Sequence, residues 1–222
     1  MKLTSYSTVK GTIRCESGLR IGGSKDSLEI GAMDNPIIRH PISGLPYLPG
    51  SSLKGKMRSL LEVKAGTYNM HDAKRMGGPC DCGACEVCTL FGCGNPQKAK
   101  EMTRLIFRDA MITTESEKLL REAQSEKGVN FSEVKNENWI DRRTGKAGDK
   151  GLRPQERVPE GTTFAFELSI RVFDKDDKEK FKKKIAEGLR LMESDYLGSS
   201  GSRGYGKVKF LDLTFDGQPF TL

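Results

Sequence analysis

"TFAFELSIRVF" (163–173) alternates without a break: Phe164, Phe166, Leu168, Ile170 and Val172 fall on one side, and Ala165, Glu167, Ser169 and Arg171 on the other. A period of two puts one face of an extended chain into an apolar core and the other toward water, so this stretch reads as a strand. Just after it the period changes. Phe181, Ile185, Leu189 and Met192 mark one face of a helix over about 176–196, with Gly198 in the position of a C-terminal cap. A last strand is expected over about 205–215. On the N-terminal side, "RLIFRDAMI" (104–112) is a mostly apolar run of strand length. "PGSSLKGKMRSLLEVK" (49–64) carries a helical stripe of Leu53, Met57, Leu60 and Leu61, with Ser51 or Ser52 available as N-cap. "YSTVKGTIRCE", from Tyr6, places Val9, Ile13 and Cys15 on one side of another strand. The order β, α, β, β, α, β predicts an α+β protein with a ferredoxin-like or RNA-recognition-motif core. Three long insertions interrupt it, at about 18–48, 65–103 and 114–160; "SEKLLREA" in the third reads as an amphipathic helix. Connections of that length in a compact domain are usually functional or disordered. There is no internal repeat and no low-complexity tract.

Composition narrows the function classes. Among 222 residues, 37 Lys and Arg face 30 Asp and Glu, a formal charge of +7. That balance favours a polyanionic partner over an acidic small molecule. No apolar run approaches a membrane span and "MKLTSYSTVKG" lacks the apolar core of a signal peptide, so a cytoplasmic protein without membrane contact is expected. Five of the six cysteines lie between Cys80 and Cys93. In a reducing compartment such crowding reads as metal ligation before disulfides. Cys85-x-x-Cys88 supplies one pair able to grip a tetrahedral ion, and nothing suggests a catalytic zinc with a position kept open for water.

"GSSGSRGYGK" (198–207) is both glycine-rich and basic. It follows a helix and opens a strand, the reverse of a nucleotide-binding loop. "RGYGKVKF" (203–210) fits the RNA-binding octamer at every place but one; Lys207 stands where a stacking aromatic belongs, which points to contact with RNA backbone rather than bases. In the recognition-motif skeleton the octamer belongs to the third strand, whereas here it meets the fourth. Arg203 is suited to a bidentate phosphate contact. On the first helix Lys54 and Arg58 share a face, and the preceding "PGSS" offers main-chain N–H groups and the hydroxyls of Ser51 and Ser52 at the positive end of the helix dipole.

A series of stretches, "GLRIGGS" (18–24), "GAMDNPIIR" (31–39), "PGSSLKGKMRSLLE" (49–62), "LFG" (90–92), "RLIFRDA" (104–110), "EVKNENWIDRRTGKA" (133–147), "RPQERV" (153–158) and "DYLGSSGSRGYGKV" (195–208), resembles the Csm-type backbone subunit of type III-A CRISPR–Cas effector complexes, within the RAMP superfamily. The stretches follow the family's order over nearly the whole chain, which implies one RAMP domain over 1–222. The resemblance implies a filament of several copies along a CRISPR guide RNA, with other subunits of the complex as partners. It also implies cleavage of complementary target RNA by an aspartate and a divalent cation such as magnesium. Asp34 matches the catalytic carboxylate by its place in "GAMDNP"; a carboxylate there would suit a magnesium ion that steadies the scissile phosphate. Read without the resemblance, an Asp before Asn-Pro is a turn residue, and His40 nearby is a surface or structural histidine. The resemblance implies guide contacts from Ser51, Ser52, Lys54 and Arg58, and from Gly198, Ser199, Ser200, Gly201, Ser202, Arg203, Gly204 and Tyr205. Arg20 stands where relatives often carry His, and its role lies between guide contact and packing. Lys135, Glu137, Arg142 and Arg143 fall in a segment that resembles a protruding thumb wedged between paired nucleotides. Members with a cysteine insert carry a His and three Cys on a structural zinc; Cys80, Cys85 and Cys88 match, with His71 as fourth ligand or Cys82 in its place, and Cys93 as a spectator. Two rivals remain: a purely architectural guide-binding subunit, which places no demand on Asp34, and a free-standing zinc protein that binds single-stranded RNA.

Overall fold

Val9, Ile13 and Cys15 have no solvent exposure, and Phe164, Phe166, Leu168, Ile170 and Val172 are all buried, as their alternation requires. A computed structural model of the chain describes residues 1–23, 36–70, 74, 76–128, 131–149 and 151–222. In chain order the strands and helices are β1 (Leu3–Cys15), β2 (Tyr47–Leu48), α1 (Gly50–Ala65), α2 (Glu86–Phe91), β3 (Leu105–Phe107), β4 (Ala110–Met111), α3 (Thr114–Lys127), β5 (Glu133–Glu137), β6 (Arg153–Arg157), β7 (Thr163–Phe173), α4 (Lys178–Ser194), β8 (Val208–Phe215) and β9 (Gln218–Pro219). The result is a mixed α/β protein on an antiparallel sheet ordered β3-β7-β1-β8-β9. Ile13 lies between Phe164 of β7 and Phe210 of β8, which sets the register at the middle of the core.

Helices α1 and α4 lie against each other and share one core with the apolar face of the sheet. Leu53, Met57 and Leu61 of α1 meet Phe181, Ile185, Leu189 and Met192 of α4 there. A Cβ at Gly188 would come 2.3 Å from Met57 Cε, so the glycine makes room for the Met57 side chain between the two helices. Asp177 caps α4 by accepting the Lys180 N–H at 3.0 Å.

Several boundaries differ from the sequence expectation, each for a local reason. Neither Ser51 nor Ser52 caps α1: the helix begins at Gly50 with Pro49 at the N-cap and no side-chain cap bond. The Asp109 carboxylate instead accepts the Gly50 N–H at 2.7 Å from across the fold. That contact explains why 104–112 is not one strand. β3 pairs with β7 and β4 with β2, and the chain turns between them where Asp109 reaches α1. Helix α4 ends at Ser194 with Asp195 at its cap, four residues before Gly198. The last strand begins at Val208; Gly206, with a φ of 75° and bonded to Gly18 and Leu197, still belongs to the loop. β5 and β6 form a separate two-stranded ladder, which with α3 fills the 114–160 segment.

Candidate functional site

The glycine stretch is not a loose turn. Gly198 has a φ of 82°, and a Cβ there would lie 2.2 Å from the Arg20 carbonyl oxygen. That clearance lets the Ser199 N–H reach the same oxygen at 2.9 Å. The Gly206 N–H donates to the Gly18 carbonyl and the Leu197 N–H to the Gly206 carbonyl, while Gly201–Arg203 forms a single 3-10 turn closed by bonds from Arg203 N to Ser200 O and Gly204 N to Gly201 O. Ser202, Arg203 and Gly204 are exposed, and Ser199, Ser200 and Gly201 half-buried.

Tyr205 is 1% exposed, so its ring is not presented at the surface of the loop. It is the floor of the loop. Lys135 Nζ lies 4.6 Å and the Arg157 guanidinium 5.0 Å from its ring, two cations stacked on an aromatic face. Burial, with the Glu137 carboxylate beside it, pushes the Tyr205 phenol up to about 12. Arg203 donates to Ser200 Oγ at 2.6 Å and pairs with Glu137 at 3.2 Å, and Lys135 donates to the Arg203 carbonyl at 3.3 Å. The β5–β6 ladder is thereby docked on the glycine loop. Beyond it Arg142 and Arg143 are exposed at the turn, near Val134, Trp139, Ile140 and Leu152, which all expose large apolar surface.

Arg20 sits between the glycine loop and a second short ladder. Its guanidinium donates to Ser199 Oγ at 3.3 Å, and its buried Nε finds no partner among the described residues. Leu19 bridges Val158, the Ile38 N–H donates to the Ile21 carbonyl and the Gly23 N–H to the Pro36 carbonyl at 3.1 Å. These bonds hold the two ends of the 24–35 segment together; Asp34 lies outside the described residues. Glu156, 7% exposed, fixes the outgoing end by accepting the Ile37 N–H at 2.8 Å, the Ser132 hydroxyl at 2.6 Å and the Arg39 guanidinium at 2.5 Å. Burial alone would raise the Glu156 carboxyl, but these donors outweigh it and hold the group below the usual carboxylate range. His40 accepts the Ser43 N–H within its own turn, a structural use.

On α1, Ser51 is exposed and Ser52 and Lys54 half-buried. Burial and the neighbouring Arg58 lower the Lys54 pKa. Arg58 itself is turned inward, against the expectation of a freely presented phosphate contact: its side chain is 14% exposed and its Nε donates to Glu62 at 2.7 Å. Lys56, which no motif singles out, donates to Asp195 at 3.0 Å and lies 3.7 Å from the Tyr196 ring centroid, tying α1 to the start of the glycine loop.

Four sulfurs, of Cys80, Cys82, Cys85 and Cys88, lie within 4.8 Å of one another. Cys82 thus joins Cys80, Cys85 and Cys88 among the described residues, and Cys93 does not; His71, the other candidate for the fourth ligand, lies outside the described residues. Cys80 and Cys85 are 3.8 Å apart and Cys82 and Cys88 3.9 Å, far from a disulfide. Zinc–sulfur bonds of about 2.3 Å in a tetrahedron require sulfur–sulfur edges of about 3.8 Å, so the donor set fits that ion. Burial would raise Cys82, but the Ala84 and Cys85 N–H groups outweigh it and bring the thiol down to about 6. Burial raises Cys80 to about 11 and raises Cys88 further.

The RAMP superfamily pattern matches residues 12–209. A protein of Methanocaldococcus jannaschii named "CRISPR system Cms endoribonuclease Csm3" is 46% identical over 205 residues, 92% of this chain and 78% of that one. The chain belongs to the Csm3 family of the RAMP superfamily. Another Csm3, from Streptococcus thermophilus, is 44% identical over 204 residues, 90% of this chain and 85% of its own. Two solved structures are similar: a Csm3–Csm4 subcomplex of the type III-A CRISPR-Cas interference complex (TM-score 0.61, 33% identity, 97% of this chain and 80% of that one) and Methanopyrus kandleri Csm3 (TM-score 0.56, 28% identity, 94% and 75%). Within this Csm3-family chain, sequence reasoning missed Lys56, Glu62, Asp109 and Glu156. "RLIFRDA" and "RPQERV" contain two of them, yet nothing in their polarity marks which carboxylate turns inward.

Proposed function

We propose that this chain is the backbone subunit of a type III-A CRISPR RNA-guided complex, holding guide RNA along the glycine loop and α1 and cutting complementary target RNA at regular intervals. The observation that carries the reading is the junction at Arg20. Its carbonyl accepts the Ser199 N–H of the glycine loop, and the next residues, Ile21 and Gly23, are bonded to Ile38 and Pro36, which frame the segment bearing Asp34. A guide backbone on the loop thus lies beside the base of the segment with the matching carboxylate. Exposed Arg203 and half-buried Lys54 are the cations that meet phosphate, while Lys56, Arg58 and Tyr205 hold those elements in place. Because only backbone is gripped, sequence is read by base pairing.

The core is ferredoxin-like: β1, β3, β7 and β8 are its four strands, α1 and α4 its two helices, and the remaining elements are insertions. The β5–β6 ladder is the thumb, whose Arg142 and exposed apolar residues meet the paired nucleotides. Copies of the chain pack as a filament with other type III-A subunits at its ends, in the cytoplasm; among the described residues no helix is long and apolar enough to cross a membrane. Cys80, Cys82, Cys85 and Cys88 would hold a structural zinc, which supplies a cross-link and no chemistry. Asp34 would hold a divalent cation such as magnesium, which when bound supplies charge neutralisation at the scissile phosphate.

The test is Asp34→Asn in every copy of an assembled complex. Target cleavage is expected to be lost while guide loading and target binding persist. Cutting at the wild-type rate would move the chemistry to another residue or subunit and leave this chain an architectural role.

A further inference from the structure

One Arg–Glu pair of α1 holds both main-chain groups of a cysteine in the cluster. Glu62, 3% exposed, accepts the Arg58 Nε–H at 2.7 Å and the Cys80 N–H at 3.0 Å on the same oxygen, and Arg58 also donates to the Cys80 carbonyl at 3.1 Å. Cys80 contributes one of the four clustered sulfurs. On its other side Arg58 lies one helical turn from Lys54, close enough for its charge to lower the Lys54 pKa on top of burial. Like charges at this spacing repel, so the position of Arg58 matters to whatever anion Lys54 receives. That position is fixed by Glu62 and by the main chain of Cys80.

We propose that the cysteine cluster and the cationic face of α1 are thermodynamically linked: an ion that orders Cys80 holds Arg58 in place beside Lys54, and RNA phosphate bound there in turn tightens the hold of the cysteines on the ion. The inference rests on the reading that RNA lies along α1. Linkage makes the effect reciprocal, and couplings of this kind are commonly about five-fold or more. The sign follows from positioning. Four thiolates around a divalent zinc carry net negative charge, and if that field prevailed over positioning, RNA would weaken zinc retention instead.

The experiment uses the zinc-loaded full chain, single-stranded oligouridylate as the RNA probe and a chromogenic chelator to report zinc loss. Saturating RNA is expected to slow zinc transfer by about five-fold or more. Arg58→Lys keeps the charge but cannot span Glu62 and the Cys80 carbonyl together; RNA should still bind, with its protection of zinc largely lost. Lys54→Ala places a strong helix former on α1, so it should fold, and it too should lose the protection. Simple shielding of the cysteines by RNA would survive both substitutions and would overturn the linkage. So would zinc transfer that RNA leaves unchanged or accelerates in a wild-type chain that binds it. A wild-type chain that does not bind the RNA would overturn the guide reading as well, which a separate binding titration distinguishes.

Discussion

In the loop Gly198–Gly206, shape comes from main chain on main chain: Ser199 against Arg20, Gly206 against Gly18, Leu197 against Gly206. In the segment Cys80–Cys88, shape comes from side chains that converge on a common point, with N–H groups of Ala84, Cys85 and Cys88 aimed at sulfur. Both are loops poor in large apolar residues. The first is closed by its own main-chain bonds, whereas the second gathers four sulfurs around a point that a metal ion could occupy. Loss of metal and loss of a glycine should therefore injure different parts of the molecule.

The largest expected effect is of metal removal. Structural zinc contributes on the order of 10 kcal/mol to small zinc-binding domains, and here that free energy is confined to a segment beside an independent core. Chelation should open residues 76–95 to protease, while far-UV circular dichroism changes little and the glycine loop stays protected. Metal analysis that finds no zinc in protein prepared under reducing conditions without chelator would break the comparison at its metal end.

Gly198→Ala probes the other end. Alanine at a φ of 82° is strained, and its Cβ would sit 2.2 Å from the Arg20 carbonyl oxygen. A destabilisation of about 2–3 kcal/mol is expected in urea melts, with weaker RNA binding and normal zinc content. A silent Gly198→Ala would mean that the loop has no need of its close approach to Arg20.

These two loops were unequally legible in the sequence. The cysteines announced themselves by crowding, because metal ligation needs particular atoms at short spacing, and three dimensions added that the Cys82 sulfur lies with those of Cys80, Cys85 and Cys88. The glycine loop announced its flexibility and charge but not its floor. Tyr205 sits in an octamer whose pattern suggests exposure, and only the docking of Lys135 and Arg157 on its ring explains its burial. The sheet was readable wherever alternation was strict, as in β7. It was not readable at 104–112, where Asp109 satisfies an N–H of α1, a partner 59 residues away. Contacts of that kind leave no local pattern.

Glu156→Gln sharpens the comparison between the two loops, since Glu156 anchors Ile37, whose neighbour Ile38 is bonded to Ile21 beside Arg20. Its pKa is lowered in the folded protein, so the unfolded chain takes up the proton first as pH falls. The stability that the charge contributes is present above the ordinary carboxylate value of about 4.3 and is lost as pH falls from there through the folded pKa. The wild type should lose stability across that acid window and Glu156→Gln should be flatter there. At neutral pH the variant should already be weaker by about 1–3 kcal/mol, as is usual when a charged hydrogen-bond partner is removed. Equal acid slopes would assign the loss to other carboxylates.

The smallest effect is expected from Arg203→Ala. Its guanidinium is half-exposed and already engaged with Glu137 and Ser200, so the loop should keep its form without it. What is lost is one phosphate contact. For single strands the slope of log affinity against log salt changes by about 0.7 per phosphate, and Arg203→Ala should flatten the slope by that amount with no change in sequence preference. Lys54→Ala should do the same from α1. If Arg203→Ala leaves the slope unaltered while Lys54→Ala reduces it, RNA runs along the helix and the glycine loop serves only to hold the base of the 24–35 segment. If both reduce it, the two elements form one track, and the hydrogen bonds between Ser199 and Arg20 lie directly beneath the RNA.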